Sequence, residues 1–128
     1  MILLLDTHLV LWAAGAPERL SSTARRMIEC PEHELWFSAA SLWEVAIKAG
    51  LGRPDFRVDA HLLRRALLDH GWVELPVKGE HVLATLHLPP IHKDPFDRIL
   101  VAQAESEGVL LLTADPVVAR YPGPVRQV

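Results

Sequence analysis

The chain has 128 residues, half of them hydrophobic, which suits a single domain over residues 1–128 with its own core and excludes disorder by composition. Its net charge of −3 excludes a general nucleic-acid coating protein, which is basic overall, but not a nuclease whose acidic residues lower the total. No apolar run approaches the roughly 18 residues of a membrane span, MILLL is too short and lacks the basic leader of a secretory signal, and the lone Cys30 makes no internal disulfide, so a cytoplasmic protein without membrane contact is expected.

Ile2 to Leu5 read as a buried strand, followed directly behind Asp6 by a short apolar helix over Thr7 to Ala14. Ser21-Ser22-Thr23 offers N-cap chemistry for a helix that Pro31 stops. Glu34 to Ser38 is a second strand, and Ser41 to Ala49 a helix ended by Gly50. Asp59 can cap the next helix, with Leu62, Leu63, Ala66 and Leu67 on its inward face. A third strand is expected over Trp72 to Leu75 and a short helix over Gly79 to Leu86. Asp94-Pro95 opens a helix that runs to Gly108, with Phe96, Ile99, Leu100 and Ala104 facing inward. Val109 to Leu112 is a fourth strand, Pro116 to Arg120 a helical turn, and Val125 to Val128 an edge strand. Apolar strands alternating with helices predict a three-layer α/β/α sandwich around a mostly parallel sheet.

Four acidic residues stand where these apolar segments stop or turn: Asp6, Glu44, Asp97 and Asp115. Each has a structural explanation. Asp6 and Asp115 can open a helix or turn. Glu44 can close a capping box with Ser41. In Asp94-Pro95-Phe96-Asp97, Asp94 suits N-cap and Asp97 suits N3. Jointly they suggest more. Asp6 and Asp115 follow apolar strands and so lie at the carboxyl edge of the sheet, where ligands bind in open α/β folds. Glu44 is expected in the first turn of a helix that begins at that edge. No strand clearly precedes Asp97, so its position is the least defined. Two carboxylates about 4 Å apart repel by roughly 1–4 kcal/mol, and a cluster of them calls for a cation. An all-oxygen donor set selects Mg²⁺ or Mn²⁺ over zinc, and one or two such ions suit phosphodiester hydrolysis. Thr113 can add a hydroxyl to that shell, or simply be a β-branched strand-end residue.

The segments LLLDTHLVLWA (3–13), SAASLWEVAIKAGLG (38–52), LPPIHKDPFDRILVAQAESEG (88–108) and LLTAD (111–115) resemble, in order and spacing, a PIN-domain ribonuclease of the VapC toxin type. The resemblance implies a PIN-like fold and a toxin that hydrolyses RNA. It also implies that Asp6, Glu44, Asp97 and Asp115 form the acidic metal site, with Asp94 in a capping or supporting role. A small cognate antitoxin and a homodimer are implied in the same way.

Around these positions, Lys48, His92, Lys93 and Arg98 are candidates for substrate contact. Lys48 also suits a helical ion pair with Glu44, Arg98 a pairing with a site carboxylate, and His92 and Lys93 a solvated loop. The seven histidines lack zinc-ligand spacing, so surface or capping roles are expected for most. The helices bearing Leu9 to Trp12 and Leu42 to Ile47 are apolar nearly all round, so they are either central or covered in part by a partner. The carboxylates alone also permit a DNA nuclease or a phosphatase, although His8, two residues after Asp6, disfavours an aspartyl-nucleophile phosphatase. A non-enzymatic α/β interaction module is the remaining alternative.

Overall fold

The structure, a computed structural model, describes residues 1–128. Five strands, β1 (Ile2–Leu5), β2 (Glu34–Ser38), β3 (Val73–Leu75), β4 (Leu110–Thr113) and β5 (Val125–Gln127), form one sheet in the order β3-β2-β1-β4-β5. Every neighbouring pair is parallel, so the sheet is wholly and not just mostly parallel. Six helices cover it: α1 (Thr7–Gly15), α2 (Ser22–Glu29), α3 (Ala39–Gly50), α4 (Ala60–Asp69), α5 (Gly79–Ala84) and α6 (Pro95–Glu107).

The all-apolar β1 explains the two-sided cover. Successive strand residues point to opposite faces. Leu3 and Leu5 join Leu9 and Val10 of α1, Val45 of α3, and Leu63 and Leu67 of α4 in one core. Leu4 faces the other way, against Leu100, Val101 and Ala104 of α6. All three β1 leucines are fully buried, which accounts for the absence of alternation in ILLL.

Strand order reverses at β1, which has β2 on one side and β4 on the other. In open parallel sheets the crevice beyond the carboxyl ends of two strands that diverge in this way is where ligands bind. Leu5 pairs with Leu112 at the end of the β1–β4 ladder, and the Asp6 N–H continues it by donating to the Leu112 carbonyl at 3.0 Å. Asp6 and Asp115 therefore flank the switch point.

Two sequence expectations are corrected here. Helix α3 starts at Ala39, because Ser38, with extended backbone, accepts the Ala40 N–H at 3.0 Å on its hydroxyl. Ser41 therefore lies inside the helix and Glu44 in its second turn, with no capping box between them. On α4, Leu63 and Leu67 are buried as expected, but Leu62 is 62% exposed and faces a surface cleft.

Candidate active site

Asp6 is held on both carboxylate oxygens. Oδ1 accepts the Leu9 N–H at 2.9 Å and so caps α1, while Oδ2 accepts the Thr113 hydroxyl at 2.6 Å. Thr113 in turn accepts the Asp115 N–H at 3.0 Å. One hydroxyl at the end of β4 thus ties the acid after β1 to the backbone of the acid after β4. Asp6 is almost fully buried. That burial raises its pKa above the ordinary carboxylate value, and the bonds from Thr113 and Leu9 oppose the rise.

Glu44 reaches the edge from α3. It is buried, and its Oε2 pairs with Lys48 Nζ at 2.8 Å one turn along the helix. A buried bond from the Thr7 hydroxyl to that of Ser41 (2.9 Å) fastens α3 against the start of α1. Thr7 carries neither charge nor a motif signal in the sequence, and the capping-box pattern of Ser41 with Glu44 points to a helix start and not to this bond.

Asp97 comes from α6. The N-cap is Asp94, whose Oδ1 accepts the N–H groups of Phe96 (2.8 Å) and Asp97 (3.4 Å). Burial and the neighbouring Asp94 raise the Asp97 pKa to about 7; Glu44 and Asp6 push in the same direction, and His92 opposes them. Carboxylates from three separate elements thus act electrostatically on one carboxyl group. Asp115 is more exposed, and its Oδ1 accepts the Val117 N–H at 2.8 Å.

His92 joins the last two acids. Its Nδ1 accepts the Asp94 N–H at 3.1 Å, which leaves the ring proton on Nε2. Nε2 lies 3.3 Å from Asp97 Oδ2 and 3.7 Å from Asp115 Oδ2. Tyr121, buried and absent from the sequence-derived candidates, fixes this loop. Its hydroxyl accepts the His92 N–H at 2.9 Å and lies 3.3 Å from the His92 carbonyl. Arg98 completes the clamp, donating to the Tyr121 hydroxyl and to the carbonyls of Pro89 and Thr85 at 2.9–3.1 Å. Its guanidinium is thus committed to anchoring residues 85–92. The alternatives of substrate contact or a carboxylate pairing for Arg98 do not fit this geometry. Lys93 is exposed at the rim.

His92, Asp97 and Asp115 each present a donor atom within 4.8 Å of the others. Carboxylates predominate, and burial together with the neighbouring acids raises the Asp97 pKa to about 7. This donor chemistry fits a divalent cation.

A family model described as the PIN domain matches residues 3–124. The chain belongs to the PIN-domain family. It is 32% identical to Ribonuclease VapC22 of Mycobacterium tuberculosis over 126 residues, covering 95% of each chain. The PIN fold also relates it to solved structures at low identity. One is VapBC2 from Rickettsia felis bound to a DNA fragment from the promoter (13% identity, TM-score 0.73, 100% of this chain and 99% of that one). Another is a toxin–antitoxin complex from Klebsiella pneumoniae (16%, TM-score 0.64, 96% and 94%).

Proposed function

We propose that this PIN-domain protein is a VapC-type ribonuclease, the toxin of a toxin–antitoxin pair, and that Asp6, Glu44, Asp97 and Asp115 form its metal-dependent active site. The observation that carries the reading is the crowding of acidic groups around Asp97 at the carboxyl edge of the sheet, where His92, Asp97 and Asp115 present donor atoms within 4.8 Å of one another. Burial and the neighbouring Asp94, with smaller contributions from the buried Glu44 and Asp6, raise the Asp97 pKa to about 7. Such an arrangement lowers the stability of the chain unless a cation relieves it. The VapC22 likeness over nearly the whole chain supplies the step from metal-dependent hydrolysis to RNA.

The oxygen-rich donors suit Mg²⁺ or Mn²⁺, one or two ions, with Asp6, Glu44, Asp97 and Asp115 to hold them. A bound divalent cation supplies positive charge that acidifies an attacking water and offsets charge developing on the phosphate. The chain's own residues do the rest. Thr113 fixes the Asp6 carboxylate, and the Asp94 cap orients the first turn of α6 beneath Asp97. Lys48, 36% exposed in its side chain and paired with Glu44, would meet a phosphate oxygen from the solvent side, a role its partial exposure supports. His92 holds a proton on Nε2 between Asp97 and Asp115. No side chain need become covalently attached to the substrate.

A cognate antitoxin, a homodimer and a cytoplasmic location belong to the same reading. The homology to toxins supports the first. Exposed apolar side chains on α3, Trp43 and Ile47, with Leu51 just beyond it, support a protein partner. No helix is long and apolar enough to cross a membrane.

The test compares wild type with Asp6→Asn and Asp97→Asn on RNA, single-stranded DNA and bis(p-nitrophenyl) phosphate, with Mg²⁺ or Mn²⁺ and in excess EDTA. RNA cleavage and growth inhibition should vanish in both variants while circular dichroism is unchanged. Full RNA cleavage by Asp97→Asn, or undiminished activity in EDTA, overturns the mechanism.

A further inference from the structure

A cleft of about 820 Å³ opens beside the acidic centre, between α1, α4 and the segment that joins α3 to α4. Thr7 and Lys48 are among its lining residues, and they bond to Ser41 and Glu44 beside the centre. It is also lined by Arg19, Arg53 and Arg57, all exposed and none in a salt bridge. Only two acids face the same space, and one of them, Asp59, is occupied in capping α4. The chain as a whole carries a net charge of −3, so this wall is a local reversal of sign. Its lining also includes two aromatic side chains, Trp12, with the Arg19 guanidinium 5.0 Å from its ring centre, and Phe56.

We infer that this cleft is a subsite for single-stranded RNA, carrying the nucleotides on one side of the scissile phosphate away from the acidic centre. The inference rests on the active-site assignment above. Arginines free of salt bridges, set among apolar lining residues, focus a positive field on a phosphate chain. Aromatic surfaces and a guanidinium plane in its lining stack nucleobases without demanding a sequence. Continuity decides between RNA and an acidic peptide of similar charge. Lys48 belongs both to the cleft and to the ion pair with Glu44, so a strand lying in the cleft leads directly to the centre where a phosphodiester is cut.

The experiment uses Arg53→Gln/Arg57→Gln, which alters two exposed side chains outside the acidic centre. In an Asp97→Asn background, binding of a 12-nucleotide single-stranded RNA is followed by fluorescence polarisation from 50 to 300 mM salt. With Asp97 intact, Mn²⁺-dependent cleavage is measured on RNAs extended stepwise on either side of the cut, and on bis(p-nitrophenyl) phosphate. The double variant should bind RNA about tenfold more weakly, with a slope of log K against log salt reduced by roughly 1.4, about 0.7 for each lost phosphate contact. It should lose the gain in kcat/KM that wild type obtains from nucleotides added on one side, and keep its rate on the small diester. Unchanged affinity, slope and length dependence overturn the subsite and leave the cleft to a protein partner. Failure of the active-site assignment shows separately, as cleavage of the 12-mer by the Asp97→Asn protein.

Discussion

Asp97 is the residue at which stability and chemistry oppose each other. Its pKa in the folded chain, about 7, lies above the ordinary 3.8, so the fold binds a proton that the unfolded chain releases. The sign follows: this group favours the fold fully below about pH 3.8, and its contribution falls as pH rises to about 7 and stays low beyond. An unscreened shift of this size is worth about 4 kcal/mol. Asp97 is partly exposed, and screening leaves roughly 1–2 kcal/mol. Asp97→Asn should therefore raise the Tm of the metal-free protein by about 3–8 °C at pH 8 and leave it unchanged near pH 4, while abolishing cleavage. Differential scanning calorimetry at the two pH values checks this; equal or lower Tm at pH 8 contradicts it. The same proton competes with metal. Titration calorimetry should find Mn²⁺ affinity falling up to about tenfold per pH unit below about pH 7, and level above it.

Tyr121 poses a different residue-scale question, since it holds His92 without bearing on the acids itself. Tyr121→Phe removes the acceptor for the His92 N–H and for one Arg98 donor. An unpaired group of this kind costs about 1–3 kcal/mol. Cleavage should fall on the order of tenfold, with recovery in Tyr121→Phe no better at saturating Mn²⁺, because the loss is one of loop position. Steady-state kinetics across Mn²⁺ concentrations separates this from weakened metal binding.

At the scale of elements, the sequence was most informative where one apolar run meets one charged or capping residue. Strands β1 and β2 match their expected bounds, and α6 runs from Pro95 to the residue before Gly108. Helix α3 was less legible because Ser38 and Ser41 are both competent caps. Only the tertiary bond from Thr7 to Ser41 assigns the second serine elsewhere. The position of Asp97 has a readable signal in the order of helix and strand. Helix α6 leads straight into β4, and a helix packed antiparallel to the strand that follows must start at that strand's carboxyl edge. His81 had no such signal. It is fully buried, accepts the Lys78 N–H on Nδ1 at 3.0 Å and contacts Glu107 at 2.9 Å, tying α5 to α6. The bond from His81 holds the Glu107 pKa below its ordinary value. At the far end of α6, Gly108 has φ 68°, and an added Cβ would meet no atom within 4 Å. Gly108→Ala should accordingly cost about 1 kcal/mol from backbone strain alone, seen as a lower urea midpoint at unchanged m-value.

At the scale of the whole molecule, an apolar stripe on and just beyond α3 stands exposed. The sequence posed α1 and α3 as alike, but the fold treats them differently. Leu9 and Val10 of α1 are buried, whereas Trp43 is 65% and Leu51 is 61% exposed. Val45 accounts for the difference: it commits one face of α3 to the core beneath α1 and α4, so Trp43 and Ile47, two residues to either side of it and roughly 200° around the helix, point outward. Trp43 packs edge-on against Phe96, at 5.3 Å between ring centres, one residue before Asp97. A second copy seated on this stripe would therefore bear on the first turn of α6 and could couple assembly to the active site. If the proposed homodimer forms through this stripe, wild type should be a dimer and Trp43→Glu a monomer in light scattering at micromolar concentration; a monomeric wild type contradicts the proposal. The substitution should also lower RNA cleavage by a few-fold through the loosened Phe96, while the rate at saturating protein concentration stays below that of wild type. If Trp43→Glu remains dimeric, the copies meet elsewhere, and the exposed Leu83 and Leu86 on and beyond α5 become the surface to alter next.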